Sequence, residues 1–137
     1  FERYQGVRTF LDQTKEKARE DGFVRTLLGR RRYLPDIGSR NRVLKAAAER
    51  MAVNTVIQGT AADLMKKAMV SVQSAIGTKE LRANMILQVH DELVFETPPS
   101  ELALLKKLVR GCMESVYPIK VPLLVECGSG ANWREAH

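Results

Sequence analysis

Met85-Ile86-Leu87-Gln88-Val89-His90-Asp91-Glu92-Leu93-Val94-Phe95-Glu96 reads as two apolar runs, residues 85–89 and 92–96, on either side of the polar pair His90-Asp91. Strong β formers flanking a two-residue interruption predict an antiparallel hairpin. With His90 and Asp91 as the loop, Val89 faces Glu92, Leu87 faces Val94 and Ile86 faces Phe95. Both flanks are then apolar in register, as a buried hairpin requires. The loop is chemically odd. Two-residue loops favour Asn-Gly or Gly-X because one or both positions need a positive φ, and histidine and aspartate meet that need poorly. An unfavourable turn between two good strands marks a place where function competes with propensity.

The turn's groups suggest a chemistry. A carboxylate at the tip of a rigid hairpin, Asp91, is a hard oxygen ligand suited to Mg²⁺. Glu92 completes an acidic pair only if the turn brings both side chains to one side, since neighbours on a strand point to opposite faces. Two solvated acids on a polar turn fit the same residues. A His-Asp metal site of the phosphohydrolase kind needs several more His and Asp ligands. This chain has one other histidine, His137, and four other aspartates, so that reading fails on ligand count.

Outward from the hairpin, residues 2–21 place Tyr4, Val7, Phe10, Leu11 and Ala18 at helical spacing, with a stop near Gly22. Residues 23–28 and 30–34 flank Gly29 as a short hairpin closed by Pro35-Asp36. A second helix starts near Arg42 and carries Leu44, Ala48, Met51, Ala52 and Val56. Gly59 interrupts it, and Thr60 with Asp63 three residues on resembles a capping box, so a restart or kink is expected before it ends near Ile76. Ser100 is positioned to cap a helix through Val116, with Leu105, Leu108, Val109, Cys112, Met113 and Val116 on one face, and residues 121–125 read as a last strand. Helices around a small, mainly antiparallel sheet define an α+β fold class.

The chain has 137 residues, enough for one core. No uncharged stretch approaches the ~18 residues of a membrane span, so no membrane partner is expected. Two cysteines, Cys112 and Cys127, read as reduced thiols of a cytoplasmic protein. Phe1 lies inside a helical pattern, so the N-terminal boundary is expected to be artificial, whereas the polar residues 129–137 look like a natural end. The net charge of +6 is local: residues 1–21 and 51–137 are balanced, and residues 22–50 hold eight basic side chains against Asp36 and Glu49. Seven of the eight are arginine, including Arg30, Arg31 and Arg32. An Arg-rich excess suits a polyanion, because guanidinium forks match phosphate oxygens, and it also suits an ordinary solvated basic face.

Arg50, Asn54 and Gln58 recur every four residues and so form one row on a helix face, about 12 Å long. Leu44, Ala48, Met51, Ala52 and Ala62 are expected opposite. Such a row can donate to the minor-groove acceptors that every base pair presents, sensing pairing geometry without reading sequence. An ordinary polar face has the same composition.

Together these segments resemble the C-terminal part of the family-A DNA polymerases, of the bacterial DNA polymerase I type. The resemblance rests on residues 29–36 (GRRRYLPD), residues 49–54 (ERMAVN) with 58–64 (QGTAADL), residues 88–94 (QVHDELV) and the tail 128–133 (GSGANW), and covers nearly the whole chain in order. It implies most of a palm, with the first helix and basic hairpin adjoining the fingers, over residues 1–137. It implies that Asp91 is one of two carboxylates holding a catalytic Mg²⁺ pair, with Glu92 an auxiliary acid and His90 near the primer 3′ end. Arg50, Asn54 and Gln58 match the family's helix that follows the primer-template minor groove, and Arg30, Arg31 and Arg32 would add DNA contacts. The implied reaction is two-metal phosphoryl transfer from a dNTP to a primer 3′-hydroxyl, one Mg²⁺ lowering the pKa of the hydroxyl and the other holding the triphosphate.

The second metal-binding aspartate and the Lys-bearing helix that grips the nucleotide lie upstream of Phe1 in the family order. The chain alone is therefore expected to be inactive, its partner being the missing upstream part of the same domain. A non-catalytic duplex DNA-binding module, built from the basic segment and the Arg-Asn-Gln helix, is the alternative.

Overall fold

The structure, a computed structural model, describes residues 4–136. The chain forms two compact units that divide between Asp63 and Leu64. The expectations for Phe1, for residues 2–3 of the first helix and for His137 lie outside the described residues.

In the first unit, α1 (Gln5–Asp21) ends on Gly22, whose φ of 73° lets its N–H reach back to the Ala18 carbonyl at 3.0 Å. A left-handed residue at this position favours glycine. β1 (Phe23–Arg25) and β2 (Arg31–Tyr33) pair antiparallel, with Phe23 opposite Tyr33, Val24 opposite Arg32 and Arg25 opposite Arg31. Gly29, at φ 90°, closes the turn between them. A 3-10 turn over Pro35–Gly38 follows, and α2 (Arg42–Thr78) begins where the Asn41 side chain accepts the Val43 N–H at 2.9 Å. Ala18, Val24, Leu34, Ile37, Ala48 and Ala52 form this unit's core, with Val56 packed against it.

α2 is one uninterrupted helix of 37 residues, so the break expected at Gly59 does not occur. The Thr60 hydroxyl donates to the Val56 carbonyl within the helix, and Asp63 bonds to the basic hairpin. With no helix start there, the pair forms no capping box. The face expected to be buried on α2 is also narrower than its sequence suggests. Ala48 and Ala52 are buried, but Leu44, Met51 and Ala62 are exposed.

In the second unit, α2 ends in a Schellman motif. Leu81 N–H bonds the Ile76 carbonyl and Glu80 N–H bonds the Gly77 carbonyl, both at 3.1 Å, with Glu80 in the left-handed region at φ 52°. β3 (Asn84–Val89) and β4 (Glu92–Glu96) form the expected hairpin. Its register matches expectation at Val89–Glu92 and Leu87–Val94 but shifts between Met85 and Leu87, so Met85, not Ile86, faces Phe95. Ile86 is the extra residue of a bulge. Met85 and Phe95 thereby reach the core built from Val72, Ile76, Ala83, Leu105 and Val109, while Ile86 stays exposed.

α3 (Leu102–Glu114) buries Leu105 and Val109, the face expected of it. Ser100 does not cap it, because a 3-10 turn over Pro99–Glu101 leads in and Glu101 takes the N-cap position. Glu101 instead accepts the Arg82 backbone N–H at 2.9 Å and its Nε at 3.2 Å.

Residues 121–125 are not a strand. At their end, the Val125 N–H donates to Glu114 and the Val125 carbonyl accepts Arg110 Nε, both side chains of α3. The α+β class holds, but the strands form two separate two-stranded sheets, one in each unit. The tail ends in α4 (Trp133–Ala136), where the Asn132 side chain accepts the Glu135 N–H. Gly128 and Gly130 are required there, since a Cβ would fall 1.7 Å from the Ala136 carbonyl oxygen and 2.5 Å from Glu135.

Candidate functional site

The first unit brings six of the sequence candidates together. A groove of about 600 Å³ is lined by Arg30, Arg31 and Arg32 from the basic hairpin and by Arg50, Asn54 and Gln58 from α2. The three α2 side chains are exposed, as their four-residue spacing predicts. Thr26, Thr55 and Gly59 line the same groove, and the Thr55 hydroxyl is buried with no hydrogen-bond partner among the described residues.

The arginines are held differently. Arg31 and Arg25 stand opposite each other on the hairpin, a like-charge pairing that is ordinarily unfavourable. Both guanidinium groups lie over the Phe23 ring, 5.0 and 5.2 Å from its centroid, and the ring's quadrupole offsets part of the repulsion. Arg32 alternates to the face of Val24. Arg30, in the turn, donates Nε to Asp63 at 2.6 Å.

Asp63 ties this hairpin to α2. Its side chain is buried, and it accepts the Thr26 hydroxyl at 2.7 Å as well as Arg30. The Thr26 hydroxyl in turn accepts the Arg30 backbone N–H at 3.1 Å, and Leu27 N–H bonds Thr60 at 2.9 Å. Gly59 permits the approach, because a Cβ there would sit 2.9 Å from the Thr26 methyl. Thr26 and Asp63 escape a sequence reading: nothing local distinguishes a carboxylate that caps its own helix from one that binds a hairpin 33 residues away.

Elsewhere in this unit Arg19 donates to Glu49 at 2.7 Å. That hydrogen bond, with the added attraction of Arg19 and nearby Lys15 and Lys45, holds the Glu49 carboxyl below its ordinary range despite some desolvation.

In the second unit His90 and Asp91 form the turn of the β3–β4 hairpin, as expected. His90 has φ 51° and Asp91 does not have a positive φ, the sign pattern of a type II′ turn, whose first position favours glycine. Gln88 Nε2 donates to the His90 carbonyl at 2.6 Å and braces the turn. Asp91 is exposed at the tip, and Glu92 is the half-buried first residue of β4, opposite Val89.

Among the described residues no three His, Cys, Asp or Glu side chains are grouped to hold a metal. The hairpin's donors nevertheless suit Mg²⁺. That ion is usually bound through one or two carboxylates, with water and substrate phosphates completing the shell. Asp91 at the turn tip, with Glu92 next to it at the start of β4, offers the carboxylate chemistry of such a partial set. A larger groove of about 1120 Å³ between α2 and α3, lined by apolar side chains and Lys66, Lys67, Lys79 and Lys107, contains none of the expected site residues.

The acidic hairpin turn lies in the second unit and the arginine-lined groove in the first. Residues 1–135 match the model of DNA polymerase family A, and the chain belongs to that family. It is 49% identical over 136 residues to DNA polymerase I of Mycobacterium bovis and 51% identical over 136 residues to the thermostable DNA polymerase I of Thermus filiformis, in each case over 99% of this chain. It spans only 15% and 16% of those relatives' lengths. Among solved structures it resembles the POL domain of Pol1 from M. smegmatis, in complex with DNA primer-template and dNTP. The TM-score is 0.97 at 49% identity, over 99% of this chain and 24% of that one.

Proposed function

We propose that this chain is the C-terminal part of a polymerase domain, most of a palm with an adjoining fingers segment, in a cytoplasmic enzyme that extends a DNA primer from dNTPs. The observation that carries the reading is the rigid hairpin turn that presents Asp91 beside Glu92, within a chain that belongs to a DNA polymerase family.

Asp91 would hold Mg²⁺, with Glu92 as an auxiliary ligand and the family's second aspartate supplied from outside this chain. Mg²⁺ held there would supply charge neutralisation at the transferring phosphate and would acidify the attacking 3′-hydroxyl. His90, fixed in the turn beside Asp91, contacts the primer terminus. Arg50, Asn54 and Gln58 donate to minor-groove acceptors, and Arg30, Arg31 and Arg32 neutralise backbone phosphates. The protein's share of the catalysis is therefore positioning and charge compensation. The chain alone lacks the second carboxylate and the nucleotide grip, and does not extend primers.

Primer extension by the full-length protein, wild type against Asp91→Ala, tests this with duplex affinity measured in parallel. Turnover should fall by orders of magnitude with affinity little changed, and the isolated 137 residues should show no incorporation. A near-normal rate in Asp91→Ala would sink the assignment. The arginine-lined groove also supports a non-catalytic duplex-binding module. That reading gains if neither protein extends a primer while both bind duplex with steep salt dependence.

A further inference from the structure

We propose that Asp63 is a positioning residue that presets Arg30 to grip a nucleic-acid phosphate. The inference rests on reading the arginine-lined groove as a duplex-binding surface.

Arg30 gives only Nε to Asp63, at 2.6 Å. Neither of its terminal nitrogens forms a bond among the described residues, and its side chain is 60% exposed against 5% for Asp63. The guanidinium is therefore anchored at its inner edge, with the outer two-nitrogen fork left for a ligand. That fork is the geometry that grips a phosphate bidentately. A free arginine loses rotamer entropy on binding, and an arginine already clamped loses less.

The clamp is itself built in. Asp63 also accepts the Thr26 hydroxyl, which in turn accepts the Arg30 backbone N–H, so one buried carboxylate fixes both the backbone and the side chain of Arg30. The opposite function would use the same contacts, with Asp63 neutralising Arg30 and withholding it from DNA. The exposure of the Arg30 side chain and its place on the groove wall favour presetting.

The test measures dissociation constants for a short duplex across a salt series in the full-length protein. Asp63→Asn should bind about tenfold more weakly, the loss of one well-oriented charge-assisted contact. The slope of log affinity on log salt should become shallower by about 0.9, the value of one phosphate contact. A merely structural role would lower the folded fraction and leave that slope unmoved. Arg30→Lys keeps the charge but cannot bond Asp63 and phosphate through separate nitrogens of a fork, so it should weaken binding similarly. The double variant should lose no more than either single one. Arg32→Ala, outside the clamp, should add its own loss to that of Asp63→Asn.

Unchanged or tighter binding by Asp63→Asn, or additive losses with Arg30→Lys, would overturn the proposal. Should Asp63→Asn fail to fold, Arg30→Lys decides alone, and normal affinity overturns it. Absence of salt-sensitive duplex binding by the wild type would overturn the groove reading itself, and this inference with it.

Discussion

His90 holds a left-handed backbone conformation at a turn position that glycine would fill more comfortably. A non-glycine residue there costs on the order of 1–2 kcal/mol, and such strain collects where a side chain is needed. His90→Gly should therefore strengthen the hairpin while weakening primer extension. Hydrogen exchange at the Val89 and Glu92 amides of the full-length protein should slow as the extension rate falls. Unchanged extension would remove His90 from the site. Gly59 tests packing at the same scale. In an exposed helix, Gly→Ala stabilises by about 1 kcal/mol. Here the new methyl would meet the Thr26 methyl at 2.9 Å, and Thr26 cannot rotate away without losing its bond to Asp63. Overpacking costs about 1–3 kcal/mol, so Gly59→Ala should lower stability, by about 1 kcal/mol net. Thr26→Ser keeps the hydroxyl and removes the clashing methyl, so it should restore the loss. Urea midpoints of the two variants and their combination check both signs.

Among the elements, α2 ends with Glu80 in the left-handed C′ position of a Schellman motif, and Leu81 packs near Ile76 in the second core. Glycine would remove the strain while keeping both backbone bonds, so Glu80→Gly should stabilise the helix end by roughly 0.5–1 kcal/mol. Slower amide exchange at Glu80 and Leu81 would show it, and faster exchange would mean that the glutamate side chain holds the turn. The β3–β4 hairpin illustrates what a strand pattern carries. Its two runs, its turn and the pair Val89–Glu92 are legible because alternation and a two-residue loop are local signals. The bulge at Ile86 is not. It arises because Met85 and Phe95 must both reach a core supplied by α2 and α3, which a local pattern cannot register. Residues 121–125 fail as a strand for a related reason. Their β-forming composition is real, but the backbone N–H and carbonyl of Val125 are met by Glu114 and Arg110 of α3.

For the molecule as a whole, stability in acid depends on pairs such as Arg19–Glu49, which joins α1 to α2 in the first unit. The Glu49 carboxyl is lowered from its ordinary 4.5 first by its hydrogen bond to Arg19. A carboxyl depressed in the folded state contributes its stability above the unfolded pKa and loses it as pH falls through the folded one. Glu49→Gln should thus lower the urea midpoint at neutral pH, with the gap to wild type closing as pH drops below the ordinary glutamate range. A gap that persists in strong acid would assign the loss to packing instead of charge.

Legible from the amino-acid sequence alone were the family, the α+β class, the helix start near Arg42, the stop at Gly22, the hairpin that carries Asp91, and the row of Arg50, Asn54 and Gln58. Each depends on residues close in the chain, where periodicity, caps and turn chemistry act. Only tertiary structure decided that α2 runs unbroken through Gly59 and that Asp63 serves the basic hairpin instead of its own helix. It also decided that the strands form two separate sheets. For Asp63 the physical reason is that a carboxylate takes whichever partner packing brings within hydrogen-bond distance, and its partners Thr26 and Arg30 are distant in sequence.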